Sequence, residues 1–230
     1  MPDTKFSWRG LREHIRKYLW VYLAGIALCL VGTSLLWTTT EPRPDNDEVV
    51  AVYMADTYSN PEPLNAVAAD ALERTRPFDE TLKEVRFESM LYSEGDYTSN
   101  MLMLTRLTVG ECDAFLASQA AMDALVTSGA LTPLDEAVAA GWPGDYGLEP
   151  YTVTVEDEDT GEKTTYVAAL RADPLDALVQ MGAFENRGAY LCVAANGGNV
   201  ETTMKALEFI VEDLMEAEHA GTEAAQQTAR

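Results

Sequence analysis

The chain has 230 residues, 47% of them hydrophobic, with 16 Lys and Arg against 38 Asp and Glu and a net charge of −22. Residues 1–37 hold five basic and two acidic side chains, a net +3, which leaves −25 on residues 38–230. So acidic a domain repels phosphate backbones and anionic headgroups, which argues against nucleic acid as a partner.

The first expected element is a membrane-spanning helix. Tyr18 to Trp37 runs for 20 residues without a charge, and Thr33 and Ser34 are its only hydroxyls apart from tyrosine. At about 1.5 Å per residue such a helix crosses a hydrocarbon layer of ~30 Å. Trp20, Tyr22 and Trp37 lie near its ends, where amphipathic rings favour the headgroup region. Lys5, Arg9, Arg12, Arg16 and Lys17 flank one side, while Glu41, Asp45, Asp47 and Glu48 follow on the other. Basic flanks stay in the cytoplasm, so a single-pass protein is expected, with its N-terminus inside and its C-terminal domain outside the cell membrane. The rival reading is a cleaved signal peptide. Against it stand the length of the apolar run and the absence of a small-x-small site at Trp37-Thr38-Thr39-Thr40. The expected organisation is a cytoplasmic basic segment over 1–17, a transmembrane helix over 18–37 in contact with lipid, a Pro-containing linker over 38–48, an extracytoplasmic domain over 49–219 and a frayed tail over 220–230.

Within the domain, Val49 to Met54 is a short run of β-formers and reads as a buried strand. Pro61 to Arg76 reads as a helix, with Leu64, Val67, Ala68, Ala71 and Leu72 at helical spacing. Val85 to Tyr92 is a second strand. Ser99 or Asn100 is expected to cap a helix ending at Gly110, followed by a strand over Cys112 to Ala117 and a helix over Ala120 to Ser128. After Gly141, Tyr151–Val155 and Lys163–Leu170 flank Asp157 to Gly161 as a β-hairpin. Asp173 is expected to cap a helix running to Met181 with Pro174 in its first turn. A strand over Tyr190 to Ala195 follows, then a turn at Asn196 to Asn199 and a helix over Val200 to Glu218. The alternation of strands and helices predicts an α/β fold: one N-terminal transmembrane helix, then a mainly parallel sheet with helices on both faces.

Chemistry is sparse. There is no GxSxG, HExxH or P-loop, so no enzymatic activity and no cofactor is expected. His14 and His219 are the only histidines and there is no CxxC, so a Cys/His zinc site is not supported and no metal site is assigned. Asp157 to Glu162 resembles the start of a calcium loop but lacks the glycine at the sixth position and the glutamate at the twelfth, and a solvated hairpin tip is the plainer reading. Asn196 to Asn199 precedes a helix and could receive an anion, or be a plain turn. Cys112 and Cys192 permit one disulfide, with two buried free thiols as an equal alternative. Asp56, Thr57 and Tyr58, with Ser93 and Glu94 and with Ser118 and Gln119, follow three predicted strands at their carboxyl ends. There they would form a ligand-binding rim.

Three segments carry a resemblance. Gly110-Glu111-Cys112-Asp113-Ala114-Phe115-Leu116 resembles the G-x-x-D-hydrophobic-hydrophobic strand entry of the extracellular solute-binding proteins of ABC importers. Gly129-Ala130-Leu131-Thr132-Pro133-Leu134-Asp135 is similar to their G-x-L-x-P-L-D segment, and Ala189 to Leu214 resembles their strand, N-x-x-N and long-helix return. In that return Glu201 matches the family, while Thr203 and Met204 replace its usual small residues. The resemblance covers residues 49–215. It implies one lobe of a type 2 periplasmic-binding-protein-like fold and capture of a small ligand for or near a transporter. The family folds as two lobes. Here only 15 residues separate Asp135 from the hairpin, so a single reduced lobe is expected. A lobe of this kind could also serve as a non-enzymatic accessory that docks onto a membrane protein complex.

Overall fold

The computed structural model describes residues 8–40, 44–156, 163–185 and 188–228. The chain divides into two compact units, Met1–Arg43 and Pro44–Arg230.

The first unit holds one helix, α1 (Trp8–Thr40), kinked at Tyr18, where φ −112° and ψ 16° leave the helical range. Within α1, Arg16–Ser34 is long and apolar enough to cross a membrane. The core helix of a soluble protein buries an apolar stripe. In α1 no described side chain is buried, and Trp20 and Leu28 are 81% and 76% exposed. The helix continues through Thr40, so the start of the expected linker is helical: no proline falls between Trp8 and Pro42.

The second unit is built on a six-stranded sheet. Its strands are β1 (Val49–Asp56), β2 (Glu84–Leu91), β3 (Ala114–Ala117), β4 (Glu149–Glu156), β5 (Lys163–Arg171) and β6 (Tyr190–Val193). Their order across the sheet is β2-β1-β3-β6-β5-β4. The pairs β1–β2 and β1–β3 are parallel, and the other three pairs are antiparallel. Four of the six strands therefore share a direction. β1 stands between β2 and β3, and every residue from Val49 to Ala55 is buried, as its unbroken apolar run demands of a strand covered on both faces.

Helices α2 (Asn65–Thr75), α6 (Ala177–Gln180) and α7 (Val200–Thr228) cover one face with Val67, Ala71, Leu178, Leu207 and Ile210, joined by Leu64 just before α2, against Val50, Val52 and Met54. Helices α3 (Tyr97–Val109) and α4 (Gln119–Thr127) cover the other, with Met103, Leu107, Met122 and Leu125 against Ala51, Tyr53 and Phe115. Alternate β1 residues thus feed opposite cores, as period-two side chains must.

Several boundaries differ from expectation. α3 is capped by Asp96, whose carboxylate accepts from the Thr98 and Ser99 N–H groups. The Ser99 hydroxyl instead donates to the Ser93 and Asp96 carbonyls. α6 is a single turn with Asp176 at its N-cap position, and Asp173 instead pairs with Arg171 at 2.9 Å. An unexpected five-residue helix, α5 (Asp135–Ala139), follows the G-x-L-x-P-L-D segment. α7 extends to Thr228, into the segment expected to fray. The hairpin of β4 and β5 forms as expected, and its turn, with the calcium-loop-like residues 157–162, lies outside the described residues.

The disulfide does not form: Cys112 and Cys192 are both buried free thiols. Strand register explains this. Phe115, not Cys112, stands opposite Cys192. Three residues at about 3.3 Å each offset the two cysteines by ~10 Å along the sheet, beyond the Cα–Cα reach of a disulfide. Burial pushes both thiols up to about 12.

Candidate functional site

The carboxyl ends of β2, β1 and β3 lie side by side. The Tyr92 N–H donates to the Asp56 carbonyl and the Ser118 N–H to the Ala55 carbonyl, each at 2.8 Å. The seven candidate residues therefore follow adjoining strand ends, and of the seven Glu94 and Gln119 line one groove. Asp56 turns inward on its own loop, accepting from the Thr57 N–H at 2.7 Å and the Thr57 hydroxyl at 3.3 Å. The Ser93 carbonyl accepts from the start of α3, and the Ser118 carbonyl accepts the Met122 N–H at 2.8 Å. Tyr58 is exposed.

Glu94 and Gln119 do come together. They line a groove of about 670 Å³ between α3 and α4. Tyr92 and Asn100 share its lining, Met103, Leu104, Ala120 and Ala124 give it apolar surface, and Asp123, Thr127 and Ser128 complete the α4 side. The size falls in the range of small-molecule sites, ~300–1,000 Å³. The Tyr92 hydroxyl donates to Asn100 Oδ1 at 2.9 Å. Its ionisation is pushed up by burial first and by the carboxylates of Glu94 and Asp123 in addition.

Gln119 is held by a network that the sequence did not reveal. Its Oε1 accepts a short hydrogen bond from the Tyr190 hydroxyl of β6. Its Nε2 donates to Asp123 Oδ1 at 2.8 Å and lies 3.4 Å from the Tyr151 hydroxyl of β4. The rings of Tyr151 and Tyr190 meet edge to face at 4.8 Å. Asp123 follows Gln119 by four residues, so both share one face of α4; that spacing was the available signal. Tyr151 and Tyr190 had none, since only the strand order brings them there.

α3 is tied down from its other side. Arg106 donates to the Tyr53 hydroxyl at 2.7 Å and to Glu88 at 3.0 Å, with its guanidinium 5.0 Å from the Tyr53 ring centroid. One wall of the groove is thus fixed to β1 and β2.

No family model matches the chain, and no curated protein does. Among solved structures, it is similar to an N-glycan transport solute-binding protein from Streptococcus pneumoniae, at 20% sequence identity and a TM-score of 0.28. The likeness covers 44% of this chain and 21% of that one.

A second recess, also about 670 Å³, opens at the start of α7 on the other face of the sheet. Several of its polar groups are already engaged with one another. Asp79 accepts from the Thr202 hydroxyl at 2.7 Å, and Asn199 accepts the Thr202 N–H at 3.1 Å. Lys205 pairs with Glu208 at 2.9 Å and lies 5.0 Å from the rings of both Phe78 and Phe209. The turn at 196–199, read as an anion site or a plain turn, receives the protein's own carboxylate: Asp113 Oδ1 accepts the Gly198 N–H at 3.1 Å. Among the described residues no group of three or more His, Cys, Asp or Glu could hold a metal ion.

Proposed function

We propose that the chain is a membrane-anchored binding module whose domain stands outside the cell and captures a small ligand in the groove between α3 and α4. The setting is the one that the sequence resemblance implies, beside an ABC importer. The groove carries this reading: a ligand-sized hollow at the carboxyl ends of parallel strands, where open α/β sheets bind, with two rim residues of independent origin, Glu94 and Gln119, in its lining. The module is read as non-enzymatic. The hydroxyls of Thr127 and Ser128 donate to the helix carbonyls of Asp123 and Leu125 at 2.8 and 2.7 Å, so neither is presented to a base as a nucleophile.

The apolar span and its basic N-terminal flank support anchoring by α1 and an outer domain. Protease added to intact cells should remove the domain. Survival of the domain until lysis would overturn the topology. Thermal-shift screening of the full chain against nutrient compounds should return ligands whose stabilisation is lost in Thr127→Trp, which fills the groove. Hits unaffected by that change would place binding elsewhere.

A second reading is favoured by the outer face of α3. Tyr97 (75% exposed), Met101, Leu102 and Val109 are all exposed outside the groove, and α3 carries no charge but Arg106. An uncharged apolar patch on an acidic domain suits docking onto a membrane protein complex. Photo-crosslinkers at Tyr97 and Met101 should then capture one protein repeatedly; recovery of none across replicates would defeat it.

A further inference from the structure

We infer that the groove between α3 and α4 takes a small organic cation, an ammonium or guanidinium on an apolar body. The inference rests on the groove being the binding site, and it names the ligand class. The groove offers two kinds of surface. Met103, Leu104, Ala120 and Ala124 form a carbon wall suited to an aliphatic or aromatic body. The charged groups in the same lining are carboxylates only: Glu94 from the β2–α3 loop and Asp123 from α4, with no lysine or arginine. Among the described residues neither carboxylate has a cationic partner; Asp123 is met only by the Gln119 amide at 2.8 Å. Burial, and then both carboxylates, raise the pKa of the Tyr92 hydroxyl, which lines the same groove.

An anionic ligand would meet those carboxylates unopposed. A bare divalent metal fits poorly too, since two side-chain carboxylates fall short of the six to eight oxygens that calcium takes, and the carbon wall would go unused. An organic cation uses both surfaces. Its charge pairs with Glu94 and Asp123, its donors find acceptors, and its body covers the apolar side. The net charge of −25 on residues 38–230 draws cations toward the domain from solution.

The test uses the full chain in nanodiscs of uncharged lipid and three probes that share an indole body: tryptamine (cationic), tryptophol (neutral) and indole-3-acetate (anionic). Binding is followed by equilibrium dialysis. Tryptamine should bind best. Glu94→Gln and Asp123→Asn should each weaken it about threefold, and together about tenfold, with the affinity for tryptophol unchanged. Both side chains are exposed, so folding is preserved, and circular dichroism checks this. If tryptophol or indole-3-acetate binds as well as tryptamine and Thr127→Trp blocks it, the cation inference is overturned while the groove reading stands. If tryptamine binding ignores both carboxylate changes, or calcium displaces it, the inference is overturned. If none of the three binds, the inference also falls, and the groove reading stands or falls with the library hits that Thr127→Trp abolishes.

Discussion

At Asp113 a carboxylate lies 3% exposed and is held by backbone on two sides. Its Oδ2 accepts the Ala51 N–H at 2.8 Å and its Oδ1 the Gly198 N–H at 3.1 Å, joining β1 to the turn before α7. Gly197 makes this approach feasible, because a Cβ there would stand 2.9 Å from Asp113 Oδ1 and 3.2 Å from its Cα. The aspartate of the G-x-x-D motif is therefore a structural clamp in this chain. Asp113→Ala leaves the buried Ala51 N–H without its acceptor and should cost roughly 2–3 kcal/mol, measured by urea unfolding. A loss below a few tenths would mean that the clamp contributes nothing. The cysteines allow a second check at this scale. With Cys29 replaced by serine, Cys112 and Cys192 should resist thiol reagents in the folded protein, since burial disfavours both thiolates, and both should react once unfolded, with or without reductant. A need for reductant would reveal a disulfide.

Between elements, the contact of α2 with α7 gathers charge. Arg74 of α2 pairs with Asp213 at 3.0 Å and closely with Glu212, and it lies 4.2 Å from the Phe209 ring centroid. Burial, and then the carboxylate of Asp70, push the Asp213 carboxyl up from 3.8 to about 6, while Arg74 opposes them. In that window the folded state holds a proton that the unfolded chain has released. Stability from this group is therefore present at low pH and lost as pH rises from 3.8 through about 6. Asp213→Asn should flatten that part of the pH profile of the urea midpoint; parallel profiles in both proteins would assign the slope elsewhere. α3 shows the complementary case. Its position is set by Asp96 at its start, Gly110 in the left-handed region (φ 74°) at its end and Arg106 on Tyr53 and Glu88 at its side, which leaves its outer face unsupported and exposed.

For the whole molecule, the buried residues of both cores, among the described residues, fall between Val49 and Leu214. The compact unit Pro44–Arg230 should thus fold without α1. Expressed alone, residues 44–230 should be soluble and unfold in one cooperative step, with a Tm within a few degrees of the full chain. A molten or aggregated product would show that the helix contributes to the fold.

Much of this architecture was legible because its causes are local. Val49–Met54 could only be a strand buried on both faces, the hairpin strands alternate, and the stripe of Met204, Leu207, Ile210, Val211 and Leu214 defines α7. The apolar span in α1 is likewise a property of consecutive residues, as is the carboxyl-rim placement of Glu94 and Gln119. What only the tertiary structure decided depends on which strands are neighbours. The antiparallel insertion of β6 beside β3 put Phe115 opposite Cys192 and kept the thiols apart, and it delivered Tyr190 to Gln119 across 71 residues of sequence. Side-chain periodicity reports the environment along one segment. Register and strand order arise from pairing energies between distant segments, and the groove between α3 and α4 is made by that pairing.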